Sequence, residues 1–308
     1  MTKRIVVTLA IEAIALACLL TLALDMRAHN RVERLGGVNI WGYRGPVMQR
    51  KAANEIRIAT FGGDLAFGWG VAASETLVYG VRQLVAQALD VRGGQLRRFT
   101  AVDLGALGLE PTEYADWIRH FAYLRPDVIC LIPDPRAHRT TGVSIQPDRH
   151  SPFFAEFGYA PILPLVVQEK GARLHSTPVR AFGAIAMALS RIGAAAPATS
   201  GVDQRASSYV DAIRNAVHAA LVNGSAVVVA TPLNPGPGDD GDSDALAAMM
   251  ATAFAGDPRV RFVDLGRHPD MVDPAIWLDG VALSAAGHAT AAARLTPEVL
   301  DVVRRFAS

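Results

Sequence analysis

The stretch Ile56 to Val71, IRIATFGGDLAFGWGV, decides the fold. Its opening IRIATF reads as a strand, because β-branched and aromatic side chains suit a pleated, buried backbone. Gly62 and Gly63 then break the strand with the residue type that turns tolerate best. Asp64 follows and begins a short apolar segment that reads as a helix start. In an open α/β sheet, ligands bind just outside the carboxyl ends of the strands, so residue 64 stands where chemistry would be placed. A carboxylate there is favoured by the positive end of a helix, and the reading taken here is that Asp64 serves as the N-cap.

Working outward, the same rhythm repeats along the chain. Strands are predicted at Ile56 to Phe61, Arg98 to Leu104, Val128 to Ile132, Ala226 to Thr231 and Val260 to Leu265. Helices are predicted at Glu75 to Leu89, Pro111 to Tyr123, Asp203 to Val222, Ser243 to Phe254 and Ala285 to Arg305. Alternation of this kind predicts a three-layer αβα sandwich around a five-stranded parallel sheet, of the flavodoxin-like type. The loops that begin at Gly62, Gly105, Pro133, Pro232 and Gly266 would then share one edge.

Composition bounds the rest. With 308 residues, of which 51% are hydrophobic, one good-sized core is expected and a second full domain is not required. Thirty Lys and Arg nearly balance 29 Asp and Glu, and the basic residues are scattered, so nucleic acid is excluded as a partner. Cys18 and Cys130 lie in unlike settings and suggest no disulfide.

Residues 5–24 are apolar apart from Glu12 and weakly polar positions, and a run of about 20 such residues is long enough to span a bilayer. It is read as a single transmembrane helix in contact with lipid, since it is longer than a leader's apolar core and no A-x-A-like exit follows. Lys3 and Arg4 precede it and Arg27, Arg31 and Arg34 follow it, so charge does not decide the orientation. Glu12 inside the span is read either as a protonated or snorkelling residue or as a polar contact to a membrane partner. The expected organisation is therefore a cytoplasmic tip and anchor at 1–26, a juxtamembrane linker at 27–54, and an α/β body at 55–308 with an insertion at about 136–201. The insertion carries FFAEFGYAPILPL, which reads as a lid, a partner surface or a satellite core. As a partner surface it would use Phe153, Phe154, Phe157 and Tyr159.

Three blocks carry a family resemblance: GYRGPVMQRKAANEIRIATFGGDLAFGWGV, VDLGALGLEPTEYADWIRHFAYLRPDVICLI and WLDGVALSAAGHATAAARL. Together they resemble the membrane-anchored bacterial members of the SGNH or GDSL hydrolases, from about Gly42 onward. The resemblance implies a bacterial inner-membrane protein with a single span, a cytoplasmic Met1 and a periplasmic body. It puts Gly105 in the oxyanion-glycine position and Asp279 in the acid position. It also puts Asp64 in the serine slot and Ala282 in the histidine slot, while IPDPRAH from Ile132 offers no asparagine to an oxyanion. Asp64, Gly105 and Asp279 thus read as a vestigial site, and no catalytic residue is expected.

The remaining histidines add no chemistry. His288 reads as structural, and His138, His150, His175 and His268 have no metal-like spacing, so neither a metal nor a cofactor is assigned. The sequence therefore points to a noncatalytic accessory or scaffold subunit of an integral membrane protein complex or envelope assembly. The alternative is a periplasmic esterase or O-acyltransferase of envelope glycans with a non-standard site.

Overall fold

A computed structural model of the chain describes residues 2–90, 98–134, 152–159, 161–167, 202–233, 241–278, 280 and 282–307. The chain divides into two compact units, one formed by residues 1–42 and 143–196, the other by residues 43–142 and 197–308.

The larger unit is built on five strands, β1 (Glu55–Gly62), β2 (Arg98–Asp103), β3 (Val128–Ile132), β4 (Ala226–Ala230) and β5 (Val260–Val263). They are parallel throughout and lie in the order β2-β1-β3-β4-β5, the flavodoxin-like order. The chain steps from β1 to β2 on one side and then returns to place β3 on the other. The switch point where such sheets hold ligands therefore lies at the ends of β1 and β3. Register brings these ends level, with Thr60 opposite both Asp103 and Cys130, and Gly62 opposite Ile132.

Strand alternation sorts the core. Ile56, Ile58, Val128, Cys130, Ile132, Ala226, Val228 and Ala230 form one cluster with side chains of the helices Leu77–Asp90 and Ala285–Ala307. The intervening Ala59, Phe61, Ile129, Leu131, Val227 and Val229 are equally buried and face the other way, as a period of two requires. Burial on both faces explains why these strands read as continuous apolar runs. Among the described residues the α-helices are, in chain order, α1 (Thr2–Arg34), α2 (Asp64–Phe67), α3 (Leu77–Asp90), α4 (Tyr114–His120), α5 (Pro152–Phe157), α6 (Val202–Val222), α7 (Gly241–Ala253) and α8 (Ala285–Ala307). α4 packs on α6 and β1, and α6 packs on β4 and α7. Arg57, a buried charge on β1, is matched where it lies. Its guanidinium donates to Glu55 Oε1 at 2.9 and 2.7 Å, to Leu124 O at 2.6 Å and to Gln49 O at 3.0 Å. A buried ion needs such a full set of partners.

The smaller unit starts with α1, whose segment Arg4–Arg34 is long and apolar enough to cross a membrane. The side chains of Ile5, Leu9, Leu16, Leu20 and Leu24 are exposed on it, as is Glu12. The helix does not stop at residue 26 but continues to Arg34, and burial begins at Asp25 and His29. Part of the expected linker is thus helix with a buried side. Phe154 on α5 is 2% exposed, and its ring lies 3.0 Å from where a Cβ on Gly42 would stand. This corrects the reading of Phe154 as an exposed partner contact: it is a core residue of its unit, closed against a glycine with φ +78°. Phe153 belongs to the same helix, Phe157 is 62% exposed, and Tyr159 is half-buried.

Candidate functional site

The site is assembled from the loops that leave β1, β2 and β3. β1 ends on Gly62, where a Cβ would stand 2.1 Å from the Ile132 carbonyl oxygen, so only glycine lets the two strand ends meet. Gly63, with φ −79° and ψ −143°, is the N-cap of α2, because a cap must lie outside the helical region. Asp64 is therefore the first helical residue and not the cap, which corrects the sequence reading. Its side chain turns toward the loop after β2 instead, where Asp64 Oδ1 accepts the amide of Gly108 at 2.6 Å. The residue is 6% exposed.

The two glycines of LGALG have separate duties. Gly105 donates its N–H to Asp103 Oδ1 at 3.1 Å, and a Cβ there would lie 2.3 Å from Phe67 N. It is the point where the β2 loop presses on α2. Gly108 has φ +63° with nothing within 4 Å of its Cβ position, and its amide is the one that reaches residue 64. The sequence reading missed it. The available signal was a second glycine three residues after the first.

β3 contributes Asp134, 3% exposed. A Cβ on Gly63 would lie 3.1 Å from Asp134 Cβ and 3.3 Å from its Oδ2. The Asp134 amide donates to the Tyr114 hydroxyl at 3.1 Å, and burial pushes that phenol far above its ordinary range. Asp64 and Asp134 thus flank the Gly63 turn, with Gly108 opposite Asp64. Asp279 lies outside the described residues. Ala282 is 9% exposed and its carbonyl accepts the Leu278 amide at 2.8 Å.

Beneath α2 lies a buried charged set. Arg44 donates to the carbonyls of Phe67 and Gly68, both at 2.5 Å, and to that of Val71, while its guanidinium carbon lies 4.8 Å from the Phe67 ring centroid. Its own amide donates to Asp103 O at 3.1 Å. Burial pushes the pKa of Arg44 below its ordinary value, and the charge of Asp103 opposes this. Asp103 is pushed up to about 7 by burial, against the pull of Arg44, the Gly105 amide, Thr76 and Thr60. His288 on α8 comes close as well: its Nε2 lies 3.2 Å, and Arg44 Nη1 3.1 Å, from the Cβ position of Gly68. Burial first, and the Arg44 charge second, push the imidazole down to about 4, so it is neutral at pH 7.

The chemistry of this arrangement follows. Acyl transfer needs a nucleophile, a base to activate it, and donors for the oxyanion. Here the residue that follows the β1 turn is a carboxylate, and the Gly108 amide that faces it is bonded to it. A charge-assisted bond of this kind is strong. Among the described residues no group of three or more His, Cys, Asp or Glu side chains is placed to hold a metal.

No family model matches the chain, and neither does any curated protein. Among solved structures, it is similar to an acetylxylan esterase from Geobacillus stearothermophilus, a catalytic mutant, with TM-score 0.45 and 13% identity over 79% of this chain and 94% of the other. A lipase from a goat rumen metagenome gives TM-score 0.44 and 12% identity, covering 79% and 96%. A lipolytic protein of the G-D-S-L family from Desulfitobacterium hafniense gives 0.43 and 11%, covering 78% and 98%.

Proposed function

We propose that this chain is a membrane-anchored, catalytically degenerate SGNH-like protein that acts as a noncatalytic accessory or scaffold subunit of an integral membrane complex or envelope assembly. The observation that carries the reading is the bond from the Gly108 amide to Asp64 Oδ1. It engages the side chain that the resemblance puts in the serine slot, and Ala282, in the histidine slot, supplies no base to release an acyl group. Asp64 instead ties the loop after β2 to the first turn of α2, which is a structural use of the old position.

The body lies on the periplasmic side of a bacterial inner membrane in this reading, with Met1 cytoplasmic, as the family resemblance implies. Protease added to spheroplasts then reaches the body, and protection until lysis reverses the orientation. The subunit role is tested on full-length protein gently solubilised from native membranes. Stable co-migration with other integral membrane proteins supports it, and migration as a monomer overturns it.

A further inference from the structure

The apolar run of α1 from Ile5 to Leu24 covers about 20 residues, and at about 1.5 Å per residue it matches the roughly 30 Å hydrocarbon layer of a bilayer. The next residue is Asp25, 4% exposed. Its Oδ1 accepts the amides of Ile162 at 3.0 Å and Leu163 at 2.5 Å, and its Oδ2 accepts the Tyr159 hydroxyl. One turn further along α1, His29 Nε2 stands 3.6 Å from Asp25 Oδ2, and the His29 ring lies 5.8 Å from the ring of Tyr159. Burial, with the bond to Asp25, pushes the Tyr159 phenol above its ordinary range.

A carboxylate buried to this degree is cut off from water and needs donors from the protein. Here they come from Tyr159, Ile162 and Leu163 of the insertion, which are thereby held at the level where α1 leaves the apolar layer. What surrounds them suits that level. Phe157 is 62% exposed, Pro161 is exposed, and the Leu-Pro-Leu-Val-Val run at 163–167 is half-buried. The half-buried Trp41 lies beside Gly158, 3.9 Å from its Cβ position. Arg27, Arg31 and Arg34 are exposed on α1 just beyond Asp25. Aromatic residues gather at the membrane–water boundary, and basic ones near it attract anionic headgroups.

We infer that residues 157–159 and 161–167 form an interfacial element that lies in the lipid headgroup layer, clasped to the anchor by Asp25. The inference rests on α1 being a retained transmembrane span, and the clasp favours retention, since removal of α1 as a leader would strip away Asp25 and His29. Lipid is the occupant because the element continues from the surface that the span itself presents to the bilayer.

The test uses the full chain with Cys18→Ser, reconstituted in vesicles of phosphatidylethanolamine and phosphatidylglycerol. A nitroxide is placed by Phe157→Cys, by Leu16→Cys, or by Val222→Cys, a residue 86% exposed that serves as the aqueous reference. Collision rates with oxygen and with a water-soluble nickel chelate report depth. The expected result is a label at 157 with several-fold less nickel collision than at 222, shallower than the label at 16. Asp25→Ala raises nickel access at 157 several-fold and leaves 16 in lipid, whereas Asp25→Asn, which keeps the acceptor oxygen, leaves both unchanged. A label at 157 as wet as that at 222, with 16 in lipid, overturns the interfacial element alone. The same result, together with shielding of 157 in native membranes, assigns the surface to a protein partner and also overturns it. A wet label at 16 overturns the anchor itself.

Discussion

The carboxylate of Asp64 and the amide of Gly108 meet at 2.6 Å across the ends of β1 and β2. One contact joins the first residue of α2 to the loop that follows β2. Its removal is therefore expected to change stability without changing any reaction. Asp64→Ala removes a charge-assisted bond to a half-buried amide, which costs about 1–3 kcal/mol. Asp64→Asn keeps an acceptor and is expected to cost less. Thermal unfolding of the full-length protein in mild detergent checks the order, and equal loss in both variants would show that the bond is not the reason.

Gly105 and Gly108 are expected to respond differently to the same change. At Gly105 the new Cβ would stand 2.3 Å from Phe67 N, and a backbone clash of this kind is expected to cost more than about 3 kcal/mol. At Gly108 there is open space, and only the left-handed φ of +63° resists, for about 1–2 kcal/mol. Unfolding midpoints of the two alanine variants read the contrast directly.

Much of this fold is legible in the sequence because its strands are buried on both sides. Continuous β-branched runs leave little doubt about Val128–Ile132, which the structure matches residue for residue, and the other strands differ by a residue or two at their ends. The Gly-Gly turn after β1 was equally readable. The donor to Asp64 was not, because LGALG offers two glycines and only the packing of Phe67 against Gly105 separates them. Nor was the set of Arg44, Asp103 and His288, whose members are far apart in the chain. Phe154 misled for a related reason: an aromatic, proline-rich run has the same composition on a surface as in a small core, and the contact with Gly42 settles the matter.

His288 and Asp103 set opposite pH dependences. His288 has its pKa lowered from 6.5 to about 4 by folding, so between these values the unfolded chain binds more protons. Its share of stability is complete above about 6.5 and falls away as pH drops toward 4, by on the order of 3 kcal/mol. Asp103, raised from 3.8 to about 7, contributes fully below the lower value and loses its share as pH rises through the upper one. His288→Gln is accordingly expected to flatten the acid side of the stability profile, and Asp103→Asn the neutral side. Unfolding measured from pH 4 to 8 would contradict this if both variants kept the wild-type slope.

Phe154→Ala is expected to destabilise its own unit by about 3–5 kcal/mol, the usual range for an emptied aromatic site. Hydrogen exchange at Gly42 and along 154–158 should rise. Unchanged protection there would return Phe154 to the surface.

The most direct test of the central claim is turnover of short acyl esters and acetylated sugars by the full-length protein in lipid nanodiscs, with Asp64→Ala alongside. The account predicts rates at background for both proteins, and little rescue by Asp64→Ser combined with Ala282→His. Turnover by the wild type that Asp64→Ala abolishes would contradict it, because Asp64 would then be acting on substrate and not only holding Gly108.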